Sequence, residues 1–175
     1  MTDSIIYISL GYNCSPRKYI YNELNIKKED GYKTCPFDLC ITSYDALYRC
    51  LETNFEYFFD NLHLIPGMNA DGDRSNCGPG GQNISNAYGM IFNHEGSTHS
   101  HNFKESPNDD DFYIRNNFEK FKRRYQNRIN NFFLYMKEFH HIVFIHHNPE
   151  NKSTIQLLKL LKTKYPNKII DIQVI

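Results

Sequence analysis

No run in this 175-residue sequence stays apolar for the roughly 20 residues that a bilayer-crossing helix needs, so no membrane role is expected. Neither sign of charge is in excess, because 20 Lys plus Arg face 20 Asp plus Glu. That balance removes the electrostatic case for nucleic acid or a membrane surface as partner. The start, M-T-D-S, lacks the basic and long apolar regions of a signal peptide. The five cysteines, at 14, 35, 40, 50 and 77, form no C-x-x-C pair, which argues against a zinc or dithiol redox site. They are expected to be reduced thiols in a cytoplasmic compartment. No repeat or linker divides the chain, and residues 1–175 read as one domain.

What is present suffices for a core: 40% of residues are hydrophobic and 15% aromatic. I-I-Y-I-S-L, closed by Gly11, reads as a buried strand. Pro16 then opens a helix to about residue 25. Thr42 or Ser43 can cap a helix carrying Ala46, Leu47, Cys50 and Leu51. N-F-E-Y-F-F-D-N-L is expected to add another short helix. Gly, Asn and Asp density predicts a long loop over about 66–87, and polar residues predict a second over 95–111. Between them, Y-G-M-I-F-N-H-E could be a short strand ending at His94. The acidic run Asp109–Asp111 suits a helix start, and apolar steps of three and four predict a long helix from Phe112 to Phe139. Its basic stretch K-R-R-Y-Q-N-R reads as a solvated face. His140 and His141 are expected to satisfy that helix's last carbonyls. I-V-F-I-H-H is a second strand, a helix over about 151–164 follows, and K-I-I-D-I-Q-V-I is a third strand. Strand–helix order at both ends predicts an α/β fold, a mostly parallel sheet flanked by helices.

Sites in open parallel sheets form beyond the carboxyl ends of strands. Cys14 stands at such a point, at a helix start where the dipole, Arg17 and Lys18 would lower its pKa and favour the nucleophilic thiolate. A small buried residue filling a tight turn is the competing reading. If the first two strands are neighbours, His146 and His147 could converge on Cys14. Gly11, Asn13 and Arg17 at the same turn are candidate substrate-binding residues. A phosphate at this helix start is also conceivable, although G-Y-N-C-S-P lacks the other glycines of a dinucleotide loop and the G-K-[ST] of a P-loop. His94, His99 and His101 lie close enough in sequence to hold a metal, but without H-E-x-x-H spacing; a polar loop explains the last two better. No metal and no cofactor is expected. Asp38, between Phe37 and Leu39, needs a partner for its carboxylate; a turn or cap role competes with a catalytic one.

Taken together, I-S-L-G-Y-N-C-S-P-R, C-P-F-D-L-C-I-T, N-A-Y-G-M-I-F-N-H-E and F-K-R-R-Y-Q-N-R-I-N-N-F resemble the domain of unknown function 1796, a family labelled as papain-like cysteine peptidases. The pieces occur in the family's order and span most of the chain. The resemblance implies a cysteine nucleophile at Cys14 and a histidine base at His94. A third member after the histidine would be Asn148 or Asp171, while Asp38 belongs to the family's P-F-D piece. A cysteine that follows a strand suits a Rossmann-like or SGNH-hydrolase-like layout, with Cys14 where such a hydrolase has its serine. The expected activity is cysteine-dependent hydrolysis or transfer at an acyl or amide bond of a peptide or small molecule. A non-catalytic nucleotide- or sugar-phosphate-binding domain is the alternative.

Overall fold

The computed structural model describes residues 4–66, 82–95 and 114–175. β-branching in I-I-Y-I-S produces strand β1 (Ile5–Ser9), in which Ile6 and Ile8 are buried. Gly11 then turns the chain with φ +75°, and a Cβ there would lie 2.6 Å from Thr42 Cγ2. Both the backbone angle and the space therefore require glycine. Gly11→Ala is expected to destabilise the protein by about 2–3 kcal/mol, seen as a lower urea midpoint; an unchanged midpoint would refute the strain.

Helix α1 (Ser15–Asn22) follows and ends earlier than expected. Of the two expected caps of helix α2 (Tyr44–Glu52), Ser43 fills the role, its side chain accepting from the Ala46 N–H. The aromatic segment after it is a string of turns and not the expected helix. Asn54, Phe55 and Asn61 all have positive φ, which a right-handed helix cannot accommodate.

Three short strands, β2 (His63–Pro66), β3 (Gln82–Ser85) and β4 (Ile91–Phe92), form an antiparallel sheet in the order β2-β3-β4. This second sheet stands beside the expected parallel one, and it corrects the expectation of a loop through residue 87, since residues 82–85 are strand. Residues 67–81, Cys77 among them, fall outside the described residues, as do 96–113 with the Asp109–Asp111 run.

Helix α3 (Arg115–Glu138) is the long helix, with positive φ at Asn116, Asn117 and Phe118 near its start. Strand β5 (His141–His146), helix α4 (Thr154–Lys164) and strand β6 (Ile169–Val174) complete a parallel sheet of order β1-β5-β6. The last carbonyls of α3 are met by Lys168 Nζ, which donates to Lys137 O at 3.1 Å and Phe139 O at 2.7 Å. That replaces the role expected of His140 and His141; His141 instead pairs with Asp171 at 2.9 Å. No helix among the described residues is long and apolar enough to cross a membrane.

An aromatic cluster fixes β4 against α3. The Phe92 ring lies 4.8 Å from that of Phe121, 4.7 Å from Tyr125 and 5.5 Å from Phe58. Edge-to-face pairs of this kind add about 0.5–1.5 kcal/mol each beyond area burial. A two-residue strand has little pairing of its own, so this packing anchors the turn that follows it and carries His94.

Candidate active site

The β1–α1 turn presents Cys14 at the N-cap of α1, where its carbonyl accepts from Lys18 N–H at 3.0 Å. The preceding residue completes the cap: Asn13 Oδ1 accepts from Ser15 N–H at 2.8 Å and lies 3.4 Å from His147 Nδ1. Cys14 is 9% exposed. Its sulfur shares a hydrogen bond with His94 Nε2 at 3.1 Å, across 80 positions of sequence.

Segment 35–42 links the two arms of this pair. Thr42 N–H donates to Tyr12 O at 2.9 Å, and Ile41 exchanges backbone bonds of 2.8 and 2.9 Å with Ile91. Ser9 Oγ reaches Phe37 O at 3.3 Å on the same segment. The turn bearing Cys14 and the strand leading to His94 are thus tied to one short piece of chain. Its apolar residues Cys35, Phe37 and Cys40 have no exposed surface.

Burial pushes the Cys14 thiol above its ordinary pKa; nearby Lys18 pulls it back and Asp38 pushes it up further. This overturns the expectation of a lowered value. Lost hydration outweighs the Lys18 charge, and Arg17, expected to help, is turned elsewhere. Its guanidinium lies 3.9 Å from the centre of the Tyr32 ring and donates to Ile26 O at 3.2 Å.

Asp38 has its partners, but His94 is not one of them. The carboxylate accepts from Tyr32 OH at 3.0 and 3.1 Å and from Cys35 N–H at 2.9 Å. Burial raises its pKa to about 6 against these bonds and the Arg17 and Arg128 charges. Its charge reaches Cys14, so it acts on the site electrostatically.

The loop after β5 does adjoin the β1 turn, because the strands are neighbours and His147 N–H donates to Gly11 O at 3.2 Å. The sulfur's hydrogen bond goes to His94 and not to this loop. His146 is 2% exposed, lies 6.4 Å from the Tyr44 ring, and has no hydrogen bond at either ring nitrogen among the described residues. Asn148 spends both ends of its amide on the Lys152 backbone, at 2.7 and 3.1 Å. Asp171 faces His141 on the surface. His99 and His101 lie outside the described residues. Among the described residues no group of three metal-ligating side chains converges. Cys14, Cys35, Cys40 and Cys50 are free thiols.

Two residues of this region escaped the sequence reading. Glu95 is fully buried and Arg128, assigned above to a solvated face, is 4% exposed. The signal for Arg128 was its register: Phe121, Tyr125, Arg128, Phe132 and Tyr135 advance by three or four and share the buried stripe of α3.

No curated protein and no solved structure gives a significant match to the chain. A family model described as "Putative papain-like cysteine peptidase (DUF1796)" matches residues 5–172. That span takes in the β1 turn, the segment around Asp38, the turn at His94 and the arginines of α3, and the chain belongs to this family.

Proposed function

We propose that the chain is a cysteine-dependent hydrolase or transferase acting on an acyl or amide bond, with Cys14 as nucleophile and His94 as general base. The observation that carries this is the 3.1 Å separation of Cys14 Sγ and His94 Nε2, within the reach a nucleophile–base pair requires. Because burial holds the thiol above its ordinary pKa, the reaction starts with the proton on sulfur. As sulfur attacks the carbonyl carbon, the S–H proton passes to His94 Nε2. The tetrahedral intermediate collapses to a thioester, and the same proton goes to the departing amine or alcohol. Water, deprotonated by His94, then cleaves the thioester and restores the thiol.

The oxyanion needs donors at the start of α1. Ser15 N–H is committed to Asn13, Lys18 N–H to the Cys14 carbonyl, and Pro16 has none. Among the described residues, Cys14 N–H, Arg17 N–H and the Asn13 side-chain NH₂ remain for it. The strand-first presentation of Cys14, in what we take to be one α/β domain, supports an SGNH-like or Rossmann-like layout over the helix-first layout of papain. Four free thiols suit a reducing compartment.

The test uses p-nitrophenyl acetate as a generic acyl donor. The expected result is a burst of p-nitrophenolate equal to the protein concentration, with an acetyl group on Cys14 by peptide mass spectrometry. Cys14→Ala should lack both. Acetylation of Cys14 no faster than of a small free thiol would sink the reading.

A further inference from the structure

His94 stands between two buried neighbours, Asn93 at 5% exposure and Glu95 at 0%. The turn closes through Glu95 N–H, which donates to Phe92 O at 3.1 Å. Glu95 Oε1 then pairs with Arg128 Nη2 at 3.2 Å and Arg124 Nε at 3.3 Å, both from α3. The Arg128 guanidinium lies 4.3 Å from the centre of the Tyr125 ring, the ring that also holds Phe92. The charge of Arg128 reaches Asp38, Cys35 and Cys40 as well. One buried cation is therefore shared between the residue after His94 and the segment tied to the Cys14 turn.

Stability alone is a poor reason to keep such a group. Glu95 Oε2 and Arg128 Nη1 are buried without hydrogen-bond partners among the described residues. A buried ion pair that leaves polar atoms unmet is often no better than apolar packing of the same volume. What the group does supply is location, because Glu95 Oε1 is held between two guanidinium nitrogens of α3, Arg128 Nη2 and Arg124 Nε. The strand leading to His94 is only two residues long and cannot set that position by itself.

We propose that the Glu95–Arg128 pair is a positioning device that holds the His94 ring within reach of the Cys14 sulfur. This rests on reading Cys14 and His94 as the reacting pair. Neither Glu95 nor Arg128 touches the reacting atoms, and both act through the His94 turn.

The test is the pH dependence of Cys14 alkylation by iodoacetamide, followed by peptide mass spectrometry on the whole chain, with urea unfolding to verify that each variant folds. Glu95→Gln is expected to slow the reaction at pH 7 about tenfold or more and to shift its profile toward that of His94→Ala. Glu95→Asp, which keeps the charge but shortens the reach, should show a smaller change of the same kind. Arg128→Lys, which keeps the charge without the fork, should fall between Glu95→Gln and the unaltered protein. A folded Glu95→Gln with the unaltered profile overturns the proposal. If Glu95→Gln does not fold, Glu95→Asp decides in its place, and an unaltered profile there overturns it equally. If instead the unaltered protein already reacts as His94→Ala does, the Cys14–His94 reading fails, and the positioning proposal with it.

Discussion

His94→Ala is expected to slow alkylation of Cys14 at pH 7 about a hundredfold, the lower end of what a positioned general base contributes. The reasoning starts from the thiol. Cys14 is 9% exposed, and burial places its pKa above the ordinary value in spite of Lys18. An unassisted thiol of that kind offers little thiolate at neutral pH. A base 3.1 Å away removes this obstacle by accepting the proton as sulfur reacts. The unaltered protein should therefore stay reactive down to the pH at which an imidazole becomes protonated. In His94→Ala the rate should follow the thiolate alone and climb steeply only at alkaline pH. Cys35, Cys40 and Cys50 have no exposed surface and should be silent in the folded protein, while peptide mapping separates Cys14 from Cys77. Equal rates for the two proteins at pH 7 would remove His94 from the mechanism.

The second large effect concerns stability in acid. His146 is 2% exposed and has no hydrogen bond at either ring nitrogen among the described residues. Its pKa is lowered to about 4, first by burial and then by the neighbouring His147. In the unfolded chain a histidine titrates near about 6.5. The folded protein thus binds fewer protons between these values, so the contribution is fully present above about pH 6.5 and is lost as pH falls toward about 4. A gap of that size corresponds to about 3 kcal/mol. His146→Phe, of similar shape and without a proton to gain, should lose about that much less between pH 7.5 and pH 4, measured by urea unfolding at each pH. His146→Leu serves if the phenyl ring overpacks. Asp38 and Glu95 have raised pKa values through burial and work in the opposite direction. The difference between variant and unaltered protein is therefore the readout. Equal losses in acid would show that His146 is not buried as a neutral ring.

Local physics made much of the fold legible. The β1 run, the glycine that ends it, the Ser43 cap and the leucine stripe of α4 all act within a few residues of themselves. Their periods and turn chemistry can be read without partners. The antiparallel sheet was not legible, because β2, β3 and β4 have four, four and two residues and gain meaning only from each other. The segment after α2 misled because Asn54, Phe55 and Asn61 adopt left-handed backbone angles within an otherwise helix-like pattern.

Within the site the division is similar. That Cys14 would be presented at the end of a strand followed from I-I-Y-I-S-L-G-Y-N-C-S-P alone. That His94 would be its partner came from family resemblance, since no local rule connects residues 80 positions apart. Three histidine positions competed on paper as the base, at 94, 146 and 147. The sequence by itself determined where a thiol is offered and where β1, β5, β6 and the main helices lie, because those choices depend on near neighbours. Only the tertiary structure decided that His94 meets the sulfur, that His146 turns toward Tyr44, and that Arg128 leaves the basic face of α3 for Glu95. Those outcomes depend on how far-separated segments pack, and packing is settled by the contacts of the whole fold.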